Sequence, residues 1–356
     1  MITLVLTNRN RDLRIVKNCL NSLTEQSLKE FQVILVDYGS DVVYVNGLQT
    51  LVQDYSFIQL ITCPVQGQLW NKSRAINIAL QQTSTPYFLV GDIDLIFHPD
   101  FIKIALQSIS INKIVYFQYG FLSKEESLLC KKFEEFKVAF LGNNEITGTT
   151  LFPTDKLKEV NGFDEFYHGW GAEDTDIHIR LRNIGLGIVF YSGELLIKHQ
   201  WHPKAYRSKE SSTPFHSKLE QTNHSYIQFT ASSNRTKVNL QTQWGKMPLE
   251  LDYRKLANNP NHSFQLLPEE VKLSALLAQF KNFEKELVSI VIKEVSSIEK
   301  AKQFLKKVVG KKYNCYLEME EMNNSILEEI IINYRNLPYS YSFDRQKKEI
   351  QLLIQF

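Results

Sequence analysis

Glu173, Asp174 and Asp176 crowd together directly after Gly169-Trp170-Gly171, in a run that begins Gly162-Phe163-Asp164. Ile177, Leu181 and Ile184 follow at helical spacing, so the acids fall in the first turn of a helix. Negative charge is tolerated there, and ordinary capping would account for it. Counted back along the apolar residues, however, Asp174 lies on the same stripe. A carboxylate on a core-facing stripe is costly unless it has a partner or a task.

Other residues have types suited to chemistry. Asp92-Ile93-Asp94 follows an apolar stretch, and two carboxylates at a strand end can share one hard cation. The same pair would equally serve as turn or capping residues before His98-Pro99. His199 and His202 also follow a strand-like run, and a neutral imidazole there could complete a divalent site with Asp94. The alternative is a surface histidine in a loop. Arg9 and Arg11 follow the first apolar run beside Thr7. Their guanidinium forks match phosphate oxygens, although two solvated charges near Asp12 would read the same way. Arg74 opens a helix. Asp37 ends a strand, where it could accept from a nucleobase or ribose, or simply cap a Gly-Ser turn. Trp170 lies between two glycines. Its ring could stack on a sugar or cover the helix start.

These groups need elements to hold them. The chain has 356 residues, 43% hydrophobic and 22% charged, a globular composition long enough for one large domain and an accessory unit. Its net charge of +2 creates no field that would recruit nucleic acid. Four scattered cysteines without a CxxC pair suggest thiols in a reducing, cytoplasmic setting. The first residues read as a strand rather than a signal peptide, and no apolar run reaches the length of a membrane span. Strand and helix patterns alternate: strands at 2–6, 31–36, 57–62 and 87–90, helices near 13–23 and 70–80. That alternation predicts an α/β fold with a mostly parallel sheet flanked by helices. Ligands bind such sheets beyond the carboxyl ends of the strands. The clusters at 7–11, 37–41 and 92–94 all fall there. Residues 206–265 are polar and weakly periodic, which predicts an irregular extension or linker. Residues 266–356 predict a small α/β or α+β accessory unit, with helices near 269–283, 298–309 and 325–334 and strands near 287–292, 314–318 and 349–356.

In order and spacing these motifs resemble a GT-A fold glycosyltransferase of the family 2 type with the galactosyltransferase motif of the family 7 type. The resemblance rests on Thr7-Asn8-Arg9-Asn10-Arg11, Val36-Asp37-Tyr38-Gly39-Ser40, Arg74-Ala75-Ile76-Asn77, Asp92-Ile93-Asp94, Asn161-Gly162-Phe163-Asp164, Gly169-Trp170-Gly171-Ala172-Glu173-Asp174-Thr175-Asp176 and Lys198-His199. It covers residues 1–205 as the catalytic domain. It implies that Thr7, Arg9, Arg11, Asp37, Arg74, Asp92 and Trp170 bind a UDP-sugar. Asp94 and His199, with Asp92 in support, would hold Mn²⁺ or Mg²⁺. Asp174 would be the catalytic base and Glu173 would orient hydroxyls. The chain departs from many members at Asp37-Tyr38, where two aspartates are common. A related branch retains configuration and acts on polypeptides, but the lectin-like repeats that accompany it are not found here.

The expected activity is therefore inverting transfer of a galactose or N-acetylhexosamine type sugar to a glycan or lipid-linked glycan. A nucleotidyltransferase would show a glycine-rich loop near the first strand, and Thr7–Asp12 has none. A sugar-binding or scaffold protein of the same fold would lack a key acid, and all are present. Lys300, Lys302, Lys306, Lys307, Lys311 and Lys312 give the last unit a basic segment. It could meet a protein or a membrane surface there, or present a solvated face balanced by glutamates.

Overall fold

The computed structural model describes residues 1–203 and 214–356. The chain divides into two compact units that are not simply sequential. The first takes residues 1–63, 71–203 and 221–247; the second takes 64–70, 214–220 and 248–356. The boundary expected between 205 and 206 lies outside the described residues.

The first unit begins β1 (Ile2–Asn8), α1 (Leu13–Thr24), β2 (Phe31–Tyr38), α2 (Val42–Val52), β3 (Ile58–Cys63), α3 (Lys72–Gln82), β4 (Tyr87–Asp92). It continues β5 (Leu95–Phe97), α4 (Phe101–Ser108), β6 (Lys113–Phe117), β7 (Tyr119–Leu122), β8 (Val138–Leu141), β9 (Thr150–Pro153), α5 (Thr154–Glu159), α6 (Glu173–Asn183), β10 (Gly187–Tyr191) and β11 (Ile197–His199). Seven strands form the main sheet in the order β10-β6-β9-β4-β1-β2-β3. All neighbours are parallel except at β9, which runs antiparallel to β4 and β6. Buried strands of this kind need apolar residues on both faces, and β1 is buried along its whole length. Its Leu4 and Leu6 pack with Leu35, Leu89 and Leu151 in one continuous core.

The register sets the site. Thr7 pairs with Asp92 and Asn8 with Asp37, so these four side chains leave the sheet along one carboxyl edge. A second sheet, β5-β11-β7-β8, stands after that edge. His199 pairs with Leu95, the residue after Asp94, and the Gln200 amide donates to the Asp94 carbonyl at 2.9 Å.

The stretch expected to be irregular is ordered in its described part. It forms α7 (Leu219–Ser232) and then a loop that returns to the first unit. Its order comes from amide side chains rather than an apolar stripe. Asn161 Nδ2 donates to the Val238 carbonyl at 2.9 Å, Asn239 Nδ2 to the Phe163 carbonyl at 2.8 Å, and the Gly245 amide to Glu165 Oε1 at 2.7 Å. Such bonds leave no hydrophobic period to read.

The second unit contains α8 (Glu250–Arg254), β12 (His262–Leu266), α9 (Glu270–Gln279), β13 (Leu287–Lys293), α10 (Ser297–Val308), α11 (Met319–Glu329), β14 (Tyr339–Asp344) and β15 (Glu349–Gln355). Its sheet runs β12-β13-β15-β14. The strand expected at 314–318 is reduced to a single bridge from Tyr316 to Glu269, because residues 310–314 are exposed and make no ladder. No helix among the described residues is long and apolar enough to cross a membrane.

Candidate active site

The strand ends bring Asp94 against two imidazoles. His199 Nε2 lies 3.5 Å from Asp94 Oδ1 and His202 Nε2 lies 3.1 Å from Oδ2. The three ligand atoms lie within 4.8 Å of one another. Arg11 reaches the same carboxylate at 3.2 Å. Asp94 is buried, and burial by itself would raise its pKa. His199, His202 and Arg11 outweigh that and hold the carboxyl well below the usual range. Burial pushes the His199 pKa down against the pull of Asp94, so the imidazole favours its neutral, ligating form. Asp94 Oδ1 is buried without a hydrogen-bond donor. A carboxylate oxygen in that position, facing two imidazoles, suits a divalent cation. Both histidines lie in the cluster with Asp94.

Asp92 does not join them. Its Oδ1 takes the Lys72 ammonium at 2.7 Å, and the same ammonium lies 3.9 Å from Glu173 Oε1. Lys72 thus ties the Asp-Ile-Asp edge to the head of α6. Burial would lower its pKa, but Asp92 and then Glu173 raise it above the ordinary lysine value. No motif in the sequence singles out Lys72. A signal was present all the same: it is the first residue of α3, where the helix dipole disfavours a cation unless an anion faces it. Tyr119 also carries no motif. It is buried, bonds Thr149 Oγ1 at 2.5 Å, and has its pKa raised well above the tyrosine norm by burial and then by Asp92, with Asp94 and Asp174 adding.

At the head of α6 the backbone is left-handed at Gly169, Gly171 and Ala172, with φ of 101° at Gly171. An L side chain is strained at that angle, so glycine is required there. The turn starts the helix without a side-chain cap, with Glu173 and Asp174 in its open first turn. Asp174 is half-buried and accepts from the Thr175 amide at 2.8 Å. The acid that lies on the core side is Asp176, fully buried and paired with Arg180 at 2.6 Å. The stripe reading for Asp174 is corrected accordingly: of the first-turn acids only Asp176 is packed inward, while Asp174 stays half-buried. Glu173 is pushed up to about 7 by burial, with Asp174 adding and Lys72 opposing.

Asp37 is buried and holds three donors: Asn8 Nδ2 at 2.6 Å, Ser40 Oγ at 2.5 Å and the Ser40 amide at 3.2 Å. Burial still raises its pKa above the carboxylate norm. Arg74 is buried near the start of α3, donating to the Lys246 carbonyl at 3.3 Å. Arg9 is half-buried and its charge reaches Asp37. Trp170 is 47% exposed, and its carbonyl is held at 3.1 Å by Asn223, a residue in a stretch that sequence patterns leave blank.

Two family models match the chain. "Glycosyl transferase family 2" covers residues 3–157, and "N-terminal domain of galactosyltransferase" covers 128–202. Chondroitin sulfate synthase 3 of Mus musculus is 23% identical over 176 residues, spanning 47% of this chain; the match covers only 20% of that relative. Among solved structures, S. aureus TarS 1–349 in complex with UDP is 15% identical, with a TM-score of 0.48 over 67% of each chain. The mannosyltransferase PcManGT from Pyrobaculum calidifontis, with GDP-Man and Mn²⁺, is 14% identical, with a TM-score of 0.43 over 65% of this chain and 73% of its own. Together the two matches run from residue 3 to residue 202, a glycosyl transferase family 2 match that overlaps a galactosyltransferase match between residues 128 and 157.

Proposed function

We propose that the protein is a metal-dependent, inverting glycosyltransferase. It moves a galactose or N-acetylhexosamine type sugar from a UDP-sugar to a glycan hydroxyl, in polysaccharide or glycoconjugate synthesis. The observation that carries this reading is the meeting of Asp94, His199 and His202 within 4.8 Å on the carboxyl edge of the sheet. Lys72, which bridges neighbouring Asp92 and Glu173, supports one shared site. The mouse relative named as a chondroitin sulfate synthase is in keeping with a glycan acceptor.

Asp94, His199 and His202 hold Mn²⁺ in preference to Mg²⁺, since two imidazoles favour the softer ion. When bound, that ion supplies positive charge against the leaving diphosphate. Arg9 and Arg11 donate to the diphosphate oxygens, Arg11 exchanging Asp94 for phosphate. Asp37, oriented by Asn8 and Ser40, accepts from the uracil or ribose edge beside Thr7 and Arg74. Trp170 forms the floor of the sugar site, and Glu173 orients hydroxyls. Asp174 takes the acceptor proton as the new bond to the anomeric carbon forms. The bond from that carbon to the phosphate oxygen breaks, its electron pair leaves with UDP, and the configuration inverts. The acceptor is a soluble or lipid-linked glycan on the cytoplasmic side.

The test is UDP release from UDP-Gal, UDP-GalNAc, UDP-Glc and UDP-GlcNAc, with Mn²⁺ and with EDTA. One donor turns over with Mn²⁺ alone. Asp94→Ala and His199→Ala each weaken Mn²⁺-dependent UDP binding on the order of a hundredfold. Normal UDP–Mn²⁺ binding by both variants would show that the metal lies elsewhere.

A further inference from the structure

Helix α10 is built inside out. Ile298, Phe304, Leu305, Val308 and the following Val309 are each 63 to 83% exposed. At 100° per residue, these side chains and Ala301 fall on one arc of about 140°. Among the described residues of the helix, the one buried side chain is polar: Gln303. Gln303 donates to Glu299 at 2.6 Å and accepts from the Asn314 amide at 3.0 Å. The helix therefore buries an amide and turns its apolar face outward, the reverse of an ordinary surface helix.

Charge says what suits that face. Between 297 and 312 there are six lysines and one glutamate. On the helical wheel Lys302 and Lys306 border one side of the arc and Lys300 and Lys307 the other. Lys311 and Lys312 follow the helix end. Lys300 is engaged by Glu294 at 2.9 Å and Lys302 by Glu299 at 3.6 Å. A second copy meeting this face would set lysines against lysines. A bilayer with anionic headgroups satisfies both features at once, taking the apolar arc at its acyl boundary and the lysines at its phosphates. Twelve residues span about 18 Å, which suits lying in the interface plane and is too short to cross it.

We propose that α10 docks the protein on an anionic lipid bilayer, with its apolar arc immersed and its flanking lysines on the phosphates. The inference stands apart from the transferase reading, since no residue of α10 belongs to that site.

The experiment is co-sedimentation of the full chain with phosphatidylcholine vesicles and with vesicles holding phosphatidylglycerol. The full chain sediments with the anionic vesicles and remains in solution with the neutral ones. Lys306→Gln with Lys307→Gln weakens partitioning on the order of twentyfold, from roughly fivefold per charge. Phe304→Ser with Leu305→Ser abolishes it, while the thermal unfolding midpoint stays unchanged because both side chains are exposed. Failure to sediment with anionic vesicles overturns the proposal, as does equal binding to neutral ones. Light scattering that finds a dimer, lost in Phe304→Ser with Leu305→Ser, would assign the face to a second copy. Binding to an acidic protein without vesicle binding would overturn the proposal equally.

Discussion

At the scale of single residues, Glu173 and Asp174 are neighbours with different surroundings. Glu173 faces the Lys72 ammonium at 3.9 Å and is pushed up to about 7; Asp174, also half-buried, accepts from the Thr175 amide in the open turn. If the site works with Glu173 ionised, kcat/KM rises with pH through about 7 and levels above it. Glu173→Gln removes that limb and leaves a flat profile. Asp174→Asn lowers turnover by about a thousandfold as a lost general base. It also moves the residual limb to lower pH, because the negative neighbour that raised Glu173 is gone while Lys72 remains. A limb that stays at about 7 in Glu173→Gln would assign the titration to another group. The acids themselves were legible in the sequence, because three carboxylates directly after Gly-Trp-Gly place more negative charge at a helix start than capping requires. Their orientation was not. Helical counting put Asp174 on the core stripe, where Asp176 and Arg180 lie instead. The count carries no information about where packing against the helix begins. Likewise Asp92 and Asp94 read as one pair, and only the strand edge separates them, Asp92 toward Lys72 and Asp94 toward the histidines.

Among the elements, the loop 161–170 depends on a partner far along the chain. Asn223 of α7 is fully buried, and its Nδ2 donates to the His168 carbonyl at 2.9 Å and the Trp170 carbonyl at 3.1 Å. It pins the backbone on either side of Gly169, just before the turn that starts α6. Asn223→Ala removes one donor from the buried His168 carbonyl and from the part-buried Trp170 carbonyl, a cost of about 1–3 kcal/mol in all. The loop loosens, donor KM rises about tenfold, and chymotrypsin cleaves after Trp170 faster than in the wild type. A wild-type KM with unchanged cleavage would show that the loop holds itself. The parallel sheet was readable because β1 and β2 are runs rich in Val, Leu and Ile and β4 carries Phe, Leu and Val in succession. Helix α7 was not, since its role runs through an asparagine amide and two stacked rings, Phe166 on Tyr226 at 4.0 Å, rather than through a repeating stripe. β14 could have been read: Tyr339-Ser-Tyr-Ser-Phe alternates with period two.

For the whole molecule, the order of the chain and the order of the units disagree. Residues 64–70 lie in sequence between β3 and α3, yet belong to the second unit. There the Tyr341 amide donates to the Gly67 carbonyl at 2.9 Å, Tyr339 Oη accepts from the Leu69 amide at 3.0 Å, and Gln68 Nε2 reaches the Leu337 carbonyl at 3.2 Å. Gly67 has φ of 73°, and a Cβ there would meet Ser340 Oγ at 2.8 Å. From sequence the last ninety residues read as a small accessory unit, which a cut near 265 would remove. The structure makes that cut costly, because it strips 64–70 of these partners just before Lys72. A chain ending at residue 265 therefore has a lower unfolding midpoint and weaker UDP binding than the full chain. Such a chain could simply misfold, so a gentler variant separates the causes. Tyr339→Phe keeps the ring and removes the hydroxyl, leaving the buried Leu69 amide unpaired at about 1–3 kcal/mol. If the segment positions the start of α3, donor KM rises severalfold although the substitution is more than 260 residues away in sequence. If the second unit is only tethered, Tyr339→Phe lowers stability and leaves donor KM at the wild-type value.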